Sequence, residues 1–175
     1  VESCSNHGLI NASYTGGGIV GQVGPNRWKE NGAKAVVTNC YNAGTIGGRG
    51  SWGIGGIVGS YRLCGDGQVI RNCYNAGNVL ALTTSGAIFG SIAEASVTIE
   101  NVYYLNGTNP NVNGVFDDDG DDTVGTVTGS ASAKDASEMK SADFVNALGN
   151  AFASDTDLIN DGYPIISGEK AIGDE

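Results

Sequence analysis

VIRNCYNAGNV, residues 69–79, is the stretch that decides the fold, because the chain repeats it. VTNCYNAGTI at 37–46 is a second copy, residues 1–10 form a weaker third copy, and residues 99–106 form a fourth that lacks the glycine. The cysteine position, which Val102 occupies in the fourth copy, recurs at intervals of 36, 33 and 29 residues. Self-similarity at such a period is typical of a solenoid or another repeat array.

A second element, Gly-Gly-Ile-Val-Gly, lies between these copies at 17–21 and 55–59, and in degraded form at 86–90. One full repeat, residues 55–82, contains three short apolar runs, at 55–61, 68–73 and 77–82, with turn residues between them. Such a repeat predicts one coil of a parallel β-solenoid, in which each strand pairs with its equivalent in the next coil at ~4.8 Å. We expect an all-β chain, a right-handed parallel β-solenoid (β-helix) of about three to four coils with a small C-terminal α/β cap.

Residues at two repeated positions suit tight corners of such a coil. Asparagine tolerates the left-handed backbone conformation, and stacked side-chain amides bond to one another. Glycine adopts a positive φ without steric cost. The asparagines are Asn39, Asn72 and Asn101, and the glycines are Gly8, Gly44 and Gly77.

Three of the four cysteines share one repeated position with Val102. Neighbouring Cα atoms at that position would be ~4.8 Å apart, which permits disulfides, but parallel side chains favour a row of buried thiols. The fourth cysteine, Cys64, is expected in a loop. The predicted interior rows are Cys4, Cys40 and Cys73 on one line, and Val37, Ile70 and Ile99 on the other.

The charge of the chain is unevenly distributed. The net charge is −10, of which residues 1–115 carry +1 and residues 116–175 carry −11. An acidic chain is a poor partner for nucleic acid, and no apolar run approaches the ~20 residues that a membrane span needs. The chain begins inside a repeat, so we expect further repeats or domains of a larger parent protein.

The repeats are expected to give way to another arrangement after residue 105, so that 1–105 form the solenoid and 106–175 form an acidic hairpin and a cap of the same domain. Two β-prone runs, 112–116 and 123–128, flank an aspartate-rich link and predict the hairpin.

The last part of the chain becomes helical. Ser141 suits the N-cap of a helix that ends before Gly149. A terminal coil leaves its core and its backbone exposed, and solenoids need a cap there. We therefore expect the C-terminal segment to pack on the last coil, near Val102 and Ile88.

Gly-Ile-Val-Gly at 18–21 and 56–59, set between copies of the Asn-Cys-Tyr-Asn-x-Gly element, resembles the GLUG-motif repeats of bacterial surface proteins. The tail, from Met139 onward through Asn160 to Ile165, is similar to the segment that often closes such arrays. The resemblance covers most of the chain. It implies a large, secreted or cell-surface, extracellular protein of a bacterium, often a gut anaerobe, with a role in cell adhesion. Such motifs also accompany some IgA-peptidase-like proteins, and the family supplies no catalytic residues to carry over.

Metal binding is weakly indicated by the sequence. Asp117, Asp119 and Asp121 alternate as the early ligands of a calcium loop do, but no later glutamate stands at the EF-hand distance, so a solvated turn is the alternative. His7 is the only histidine and no Cys-x-x-Cys occurs, which argues against zinc. We expect no cofactor and no metal, with calcium at the acidic turn left open.

Catalysis is not indicated either, because no Ser or Cys motif with a plausible histidine partner occurs. β-Helix enzymes that act on acidic polysaccharides gather charged side chains on one strand face, whereas the acidic residues of 1–115 occupy no repeated position. We expect a non-catalytic interaction module. A passive spacer and a polysaccharide-acting enzyme are the alternatives.

Loops 22–35, 60–68 and 91–96 are expected to leave the solenoid at one recurring place and to carry the binding residues. Exposed aromatic rings beside cations suit a host glycan with an acidic group, or an acidic protein. The alternative is that each tryptophan covers an edge of the core. The candidate ligand-binding residues are Arg27, Trp28, Lys29, Tyr61 and Arg62, with Arg49 and Trp52 on a neighbouring edge.

Overall fold

The computed structural model describes residues 1–24, 34–49, 52–81, 84–111 and 125–171. Within these ranges the chain is mostly β-strand, in agreement with the predicted all-β class. The first eight strands are β1 (Ser5–Asn6), β2 (Ile10–Ala12), β3 (Thr15–Gly17), β4 (Val20–Val23), β5 (Val36–Thr38), β6 (Tyr41–Asn42), β7 (Ile46–Gly48) and β8 (Gly53–Gly55).

The later strands are β9 (Val58–Asn75), β10 (Val79–Ala81), β11 (Ser85–Gly86), β12 (Phe89–Leu105), β13 (Thr126–Gly129), β14 (Ser132–Lys134), β15 (Phe152–Ala153) and β16 (Ile165–Ile166). The helices are α1 (Ala136–Met139) and α2 (Ala142–Leu148). Neither of these helices is long and apolar enough to cross a membrane.

Strands of successive repeats pair in parallel, and residues at equivalent positions are direct partners. Ser5 pairs with Tyr41, Tyr41 with Tyr74, and Tyr74 with Tyr103. The shorter strands form the parallel series β2–β7–β10 and β3–β8–β11. Each repeat thus adds one layer to the parallel sheets, at the usual strand spacing of ~4.8 Å.

β9 and β12 run without a break through 60–68 and 91–96, so the prediction of loops in these two segments was wrong. Backbone pairing between the two strands continues across both segments, with register shifts between Ala93 and Ala95 and between Ala95 and Val97. Leu63 and Glu94 have positive φ values of 52° and 45°. These residues bend the strands locally, while pairing with the neighbouring layer still satisfies the backbone on either side.

The predicted asparagine corner is confirmed. Asn39, Asn72 and Asn101 have left-handed φ values of 54°, 49° and 54°. Their side chains are linked along the stack, since Asn72 Nδ2 donates to Asn39 Oδ1 at 3.2 Å and Asn101 Nδ2 donates to Asn72 Oδ1 at 2.9 Å. One kind of contact therefore stabilises the same corner in three successive layers.

The glycines at the second repeated position have a different role from the predicted one. Gly8, Gly44 and Gly77 all have φ values outside the left-handed region, so the explanation by positive φ was wrong. A Cβ added to Gly77 would lie 1.9 Å from the carbonyl oxygen of Gly44, and one added to Gly44 would lie 2.0 Å from that of Gly8. Glycine is needed at 44 and 77 because successive layers approach too closely for a side chain.

A further row of asparagine side chains lies beside these glycines. Asn6 Nδ2 donates to Asn42 Oδ1 at 2.7 Å, and Asn42 Nδ2 donates to Asn75 Oδ1 at 2.7 Å. The row ends at Asn75, because its partner in the next layer is Tyr104. Among the described residues, the buried Nδ2 of Asn75 has no hydrogen-bond partner.

The main hydrophobic core contains most of both predicted interior rows. Ile57 and Ile88 of the glycine-rich elements pack into the same cluster. Cys4 was expected in the interior but is exposed, because it lies in the first layer, where β1 pairs only with β6 among the described strands. The buried members of the rows are Val37, Ile70, Ile99, Cys40, Cys73 and Val102.

The C-terminal segment packs on a row of tyrosines. The ring of Phe144 meets Tyr74 and Tyr103 edge-on, with centroids 5.8 and 5.0 Å apart. The predicted contact with Val102 and Ile88 was wrong, since those residues belong to the main core. A second core therefore forms on the tyrosine row, and its buried members are Tyr41, Tyr74, Met139, Phe144, Leu148 and Phe152.

The predicted helix cap is present in the last part of the chain, whereas the strand pairing there differs from the predicted hairpin. Ser141 is the predicted N-cap, and its Oγ accepts a hydrogen bond from Phe144 N at 3.2 Å, while α2 ends before Gly149. β13 and β14 both pair in parallel with β12, whereas a hairpin was predicted for the run that includes β13. Residues 112–124, which contain the acidic link of that hairpin, lie outside the described residues.

A tight loop fastens the C-terminal segment to the tyrosine row. The buried Asp155 carboxylate accepts backbone N–H groups of Ile159, Asn160 and Gly162 at 2.8, 2.7 and 2.9 Å. Asn160 Nδ2 in turn donates to Tyr74 Oη at 2.8 Å. Burial alone would raise the pKa of Asp155, but the three N–H donors outweigh it, and the pKa is lowered.

Gly77→Ala should destabilise the fold by about 1–3 kcal/mol or more, because the new methyl group would overlap the Gly44 carbonyl and force the layers apart. Gly21→Ala is the matched control. No atom lies within 4 Å of a Cβ at Gly21, so its free energy of unfolding should change by less than about 0.5 kcal/mol. Urea unfolding of both variants measures the difference, and equal midpoints would contradict the close-approach explanation.

Asp155→Asn should cost about 1–3 kcal/mol at neutral pH, because one amide oxygen cannot accept three N–H donors. The pKa of Asp155 is lower in the folded state than the value of about 3.9 expected for the unfolded chain. The stabilisation is therefore present above a pH of about 4 and is lost as the pH falls through the folded-state pKa.

Unfolding measured at several pH values should show the gap between wild type and Asp155→Asn closing below a pH of about 4. The exposed Asp157 provides the control substitution Asp157→Asn. A gap for Asp155→Asn that is independent of pH would show that the carboxylate charge does not contribute.

Candidate functional site

Two aromatic side chains from successive repeats meet at one place on the surface. Tyr14 and Trp52 directly precede β3 and β8, whose first residues Thr15 and Gly53 are partners. Trp52 N donates to the carbonyl of Tyr14 at 3.2 Å, and the two rings meet edge-on with centroids 6.3 Å apart. Tyr14 is 68% exposed and Trp52 is half-buried, so part of both rings faces solvent.

Arg62 completes this surface. Its guanidinium carbon lies 4.6 Å from the centre of the Trp52 ring, a cation–π contact. Arg62 belongs to β9, where it pairs with Ala93 of β12. Trp52 precedes β8, so the cation–π contact joins two different segments of one repeat. We call Tyr14, Trp52 and Arg62 together the aromatic–arginine surface.

Tyr14 was missed from the sequence, although a signal for it exists. When the glycine-rich elements are aligned, Tyr14 stands five residues before Ile19, just as Trp52 stands five residues before Ile57. Parallel pairing in register therefore required the two rings to be neighbours. Trp52 and Arg62 were assigned to neighbouring edges, and the structure brings them into direct contact.

Tyr61 was predicted to bind a ligand and is instead a core residue. It is fully buried, and its ring meets Phe89 edge-on at 6.2 Å. Successive residues of a strand point to opposite faces, so an inward Tyr61 accompanies a more exposed Arg62. Burial raises the pKa of Tyr61, and its hydroxyl has no hydrogen-bond partner among the described residues.

The remaining candidates fall into two groups. Arg49 is exposed and follows β7 directly. Arg27, Trp28 and Lys29 lie outside the described residues. The aromatic–arginine surface therefore contains two of the predicted residues and one new residue.

The single histidine lies in a polar cluster with a serine and a glutamate. Ser5 Oγ donates to Glu169 Oε1 and Tyr41 Oη donates to Glu169 Oε2, both at 2.9 Å. His7 Nε2 lies 2.8 Å from Tyr41 Oη and 3.4 Å from Glu169 Oε1. A catalytic triad places the imidazole between the hydroxyl and the carboxylate, whereas here Ser5 donates to the carboxylate directly. The cluster ties the C-terminal segment to the first two layers.

The cysteines are free thiols. Cys40 and Cys73 are buried neighbours in the stack, and their Sγ atoms donate at 3.1 Å to the carbonyls of Thr38 and Arg71 respectively. Interaction with the neighbouring Cys73 thiol lowers the pKa of Cys40, and burial raises the pKa of Cys73. Cys64 is buried within β9, although a loop position was predicted for it.

Within the described ranges, no three His, Cys, Asp or Glu side chains converge as metal ligands would. The aspartates at 117, 119 and 121, for which calcium was left open, lie outside those ranges.

Comparison with known proteins gives one structural likeness. No family model and no curated protein sequence matches the chain. A crystal structure of a putative immunoglobulin A1 protease from Bacteroides ovatus is similar, with 25% sequence identity and a TM-score of 0.59. The match covers 95% of this chain and 57% of that chain, so this chain spans little more than half of that structure.

Thiol labelling of the native protein should show one fast cysteine, Cys4, because it alone is exposed among the four cysteines. Cys40, Cys64 and Cys73 should react with Ellman's reagent only as the chain unfolds, since a buried thiolate is out of reach of the reagent. Cys4→Ser should abolish the fast phase. A fast phase of two or more thiols would contradict the burial of the row.

Proposed function

We propose that this chain is a non-catalytic interaction module of a larger bacterial surface protein, and that it binds an acidic glycan through the aromatic–arginine surface. The observation that carries the proposal is the Arg62 guanidinium held over the Trp52 ring at 4.6 Å beside the exposed ring of Tyr14. An aromatic face packs against a sugar ring, and the adjacent cation pairs with a carboxylate on that sugar.

The charge distribution supports an acidic ligand. Residues 1–115 carry a net charge of +1, although the whole chain carries −10. A guanidinium on an otherwise acidic protein attracts an anionic group and orients it by electrostatic complementarity. An acidic protein segment is the alternative ligand of the same chemistry, and titration with both kinds of ligand separates the two.

The scaffold supports a display role. In-register parallel pairing of successive repeats is what a right-handed parallel β-solenoid of GLUG-like coils requires, and we infer that architecture for the chain. A stack of rigid layers holds side chains of equivalent positions at fixed spacing. In a secreted, extracellular adhesin of this kind, further repeats of the parent protein would extend the stack.

A passive spacer is the simpler alternative, and it would leave the aromatic–arginine surface without a ligand. A second candidate comes from the similar structure, which is named as a putative immunoglobulin A1 protease. Under that candidate this chain is a part of a protease. The Ser5, His7 and Glu169 arrangement lacks a serine-to-histidine hydrogen bond, so we assign the chain to substrate or surface contact rather than to peptide-bond cleavage.

Isothermal titration with 3′-sialyllactose, with lactose as the neutral reference, tests the proposed function. Wild type should bind the acidic sugar, and Trp52→Ala should weaken it by about tenfold or more, because both the stacking face and the support for Arg62 are lost. Arg71→Gln is the matched control. Arg71 is an exposed arginine of the same strand, paired with Glu100 at 3.7 Å, and its replacement should leave binding unchanged.

Equal binding by wild type and Trp52→Ala would overturn the proposal, as would tighter binding to an acidic peptide than to any acidic glycan. Incubation with immunoglobulin A1 tests the second candidate. Cleavage that is abolished by His7→Ala would establish an enzyme in place of a binding module.

A further inference from the structure

An open groove of about 640 Å³ lies between β14 and the two helices. Its volume falls within the range of small-molecule sites, about 300–1,000 Å³. The half-buried ring of Tyr103 and the ring of Phe144 form its apolar part, and Ser132, Lys134 and Asp143 stand around them. The groove shares no residue with the aromatic–arginine surface, so a ligand in the groove is independent of the proposed function.

The groove exists because a row of aromatic rings is interrupted. Tyr41, Tyr74 and Tyr103 are partners in three successive layers, and the first two rings stack face to face with centroids 5.0 Å apart and planes 2° apart. The partner of Tyr103 in the last layer is Ser132. Ser132 places no ring at that position of the row, and Phe144 packs edge-on against Tyr103 at 5.0 Å in the groove lining.

Solvent-exposed polar groups surround this space. The hydroxyls of Ser132 and Ser137 and the carboxylate of Asp143 are exposed and are not engaged by another described residue, so a ligand can replace the water that they bind. Lys134 is paired with Glu138 at 3.0 Å. The groove therefore offers two hydroxyls and one carboxylate beside an aromatic ring, with one positive and two negative side chains in its lining.

The geometry points to a binding site for a neutral hexose at the end of a glycan chain. The C–H face of the sugar packs against Tyr103 in the place of the missing ring, as apolar faces do on aromatic side chains. Asp143 accepts hydrogen bonds from neighbouring sugar hydroxyls, and Ser132 and Ser137 both donate and accept. A sugar can contact the ring of Tyr103 and also form hydrogen bonds with the carboxylate and the two serine hydroxyls. An aromatic side chain of a peptide could fill the space beside the ring but would leave those polar groups without a partner.

The charge of the lining selects among sugars. Lys134 is paired with Glu138, which leaves the negative charge of Asp143 uncompensated in the lining, so a sugar that bears a carboxylate is disfavoured there. The groove therefore prefers a neutral hexose over sialic acid or a uronic acid. This preference is opposite to the one proposed for the aromatic–arginine surface, which carries a half-buried cation in contact with an indole.

Titration of the isotope-labelled full chain by NMR, with methyl β-D-galactopyranoside and methyl β-D-glucopyranoside as probes, tests the inference. At least one of the two sugars should give saturable shifts of Tyr103, Ser132 and Asp143 amides. Ser132→Tyr supplies the missing ring and should abolish these shifts while preserving or raising stability. The control, Ser130→Tyr, adds the same ring at an exposed position outside the groove and should bind as wild type.

Asp143→Asn is a second variant that does not depend on filling the groove, and it should weaken the sugar by about tenfold. Trp52→Ala should leave binding of the neutral sugar unchanged, which separates this site from the proposed glycan surface. The inference is overturned if neither sugar shifts the groove, if Ser132→Tyr binds as wild type, or if only sialyllactose or an aromatic peptide shifts it.

Discussion

Parallel hydrogen bonds hold equivalent residues of successive repeats ~4.8 Å apart, and every other feature of the molecule must accommodate that spacing. At this distance a residue type that repeats must be able to contact a copy of itself. Asparagine amides donate to one another, as in the row from Asn39 to Asn101, and the rings of Tyr41 and Tyr74 stack face to face. Where even a methyl group would overlap a carbonyl, as at Gly44 and Gly77, glycine is the only residue that fits.

The spacing also explains what could be predicted from the sequence. The asparagine corner was predictable because it depends on a local backbone preference that belongs to the residue itself. The role of the glycines was not, because a close approach between layers is a property of the stack. The same holds for segment 60–68, whose glycines and charged residues suggest a loop when it is considered alone. Pairing with the next layer satisfies its backbone, so it continues as a strand.

Only part of the candidate site was predictable, because residue types can be read from the sequence while contacts between segments depend on the folded repeat. Trp52 and Arg62 stood out as an aromatic residue and a cation in predicted loops, but their contact depends on how one repeat folds back on itself. Tyr14 could have been found by aligning the repeats, since register makes it a neighbour of Trp52. Tyr61 was misassigned because two adjacent strand residues were both assigned to the surface, although a strand sends them to opposite faces.

A regular stack gives repeated side chains similar neighbours, and the surroundings change where a row changes its residue type. The row of Asn6, Asn42 and Asn75 ends against Tyr104, and a buried amide is left without a partner among the described residues. The tyrosine row ends at Ser132, and a groove opens above Tyr103. The first of these breaks is enclosed in the protein and costs stability, since an unpaired buried polar group is unfavourable. The second opens to solvent, where a bound molecule can supply the missing contacts, and for that reason the end of a row is one place in such a scaffold where a binding site can form.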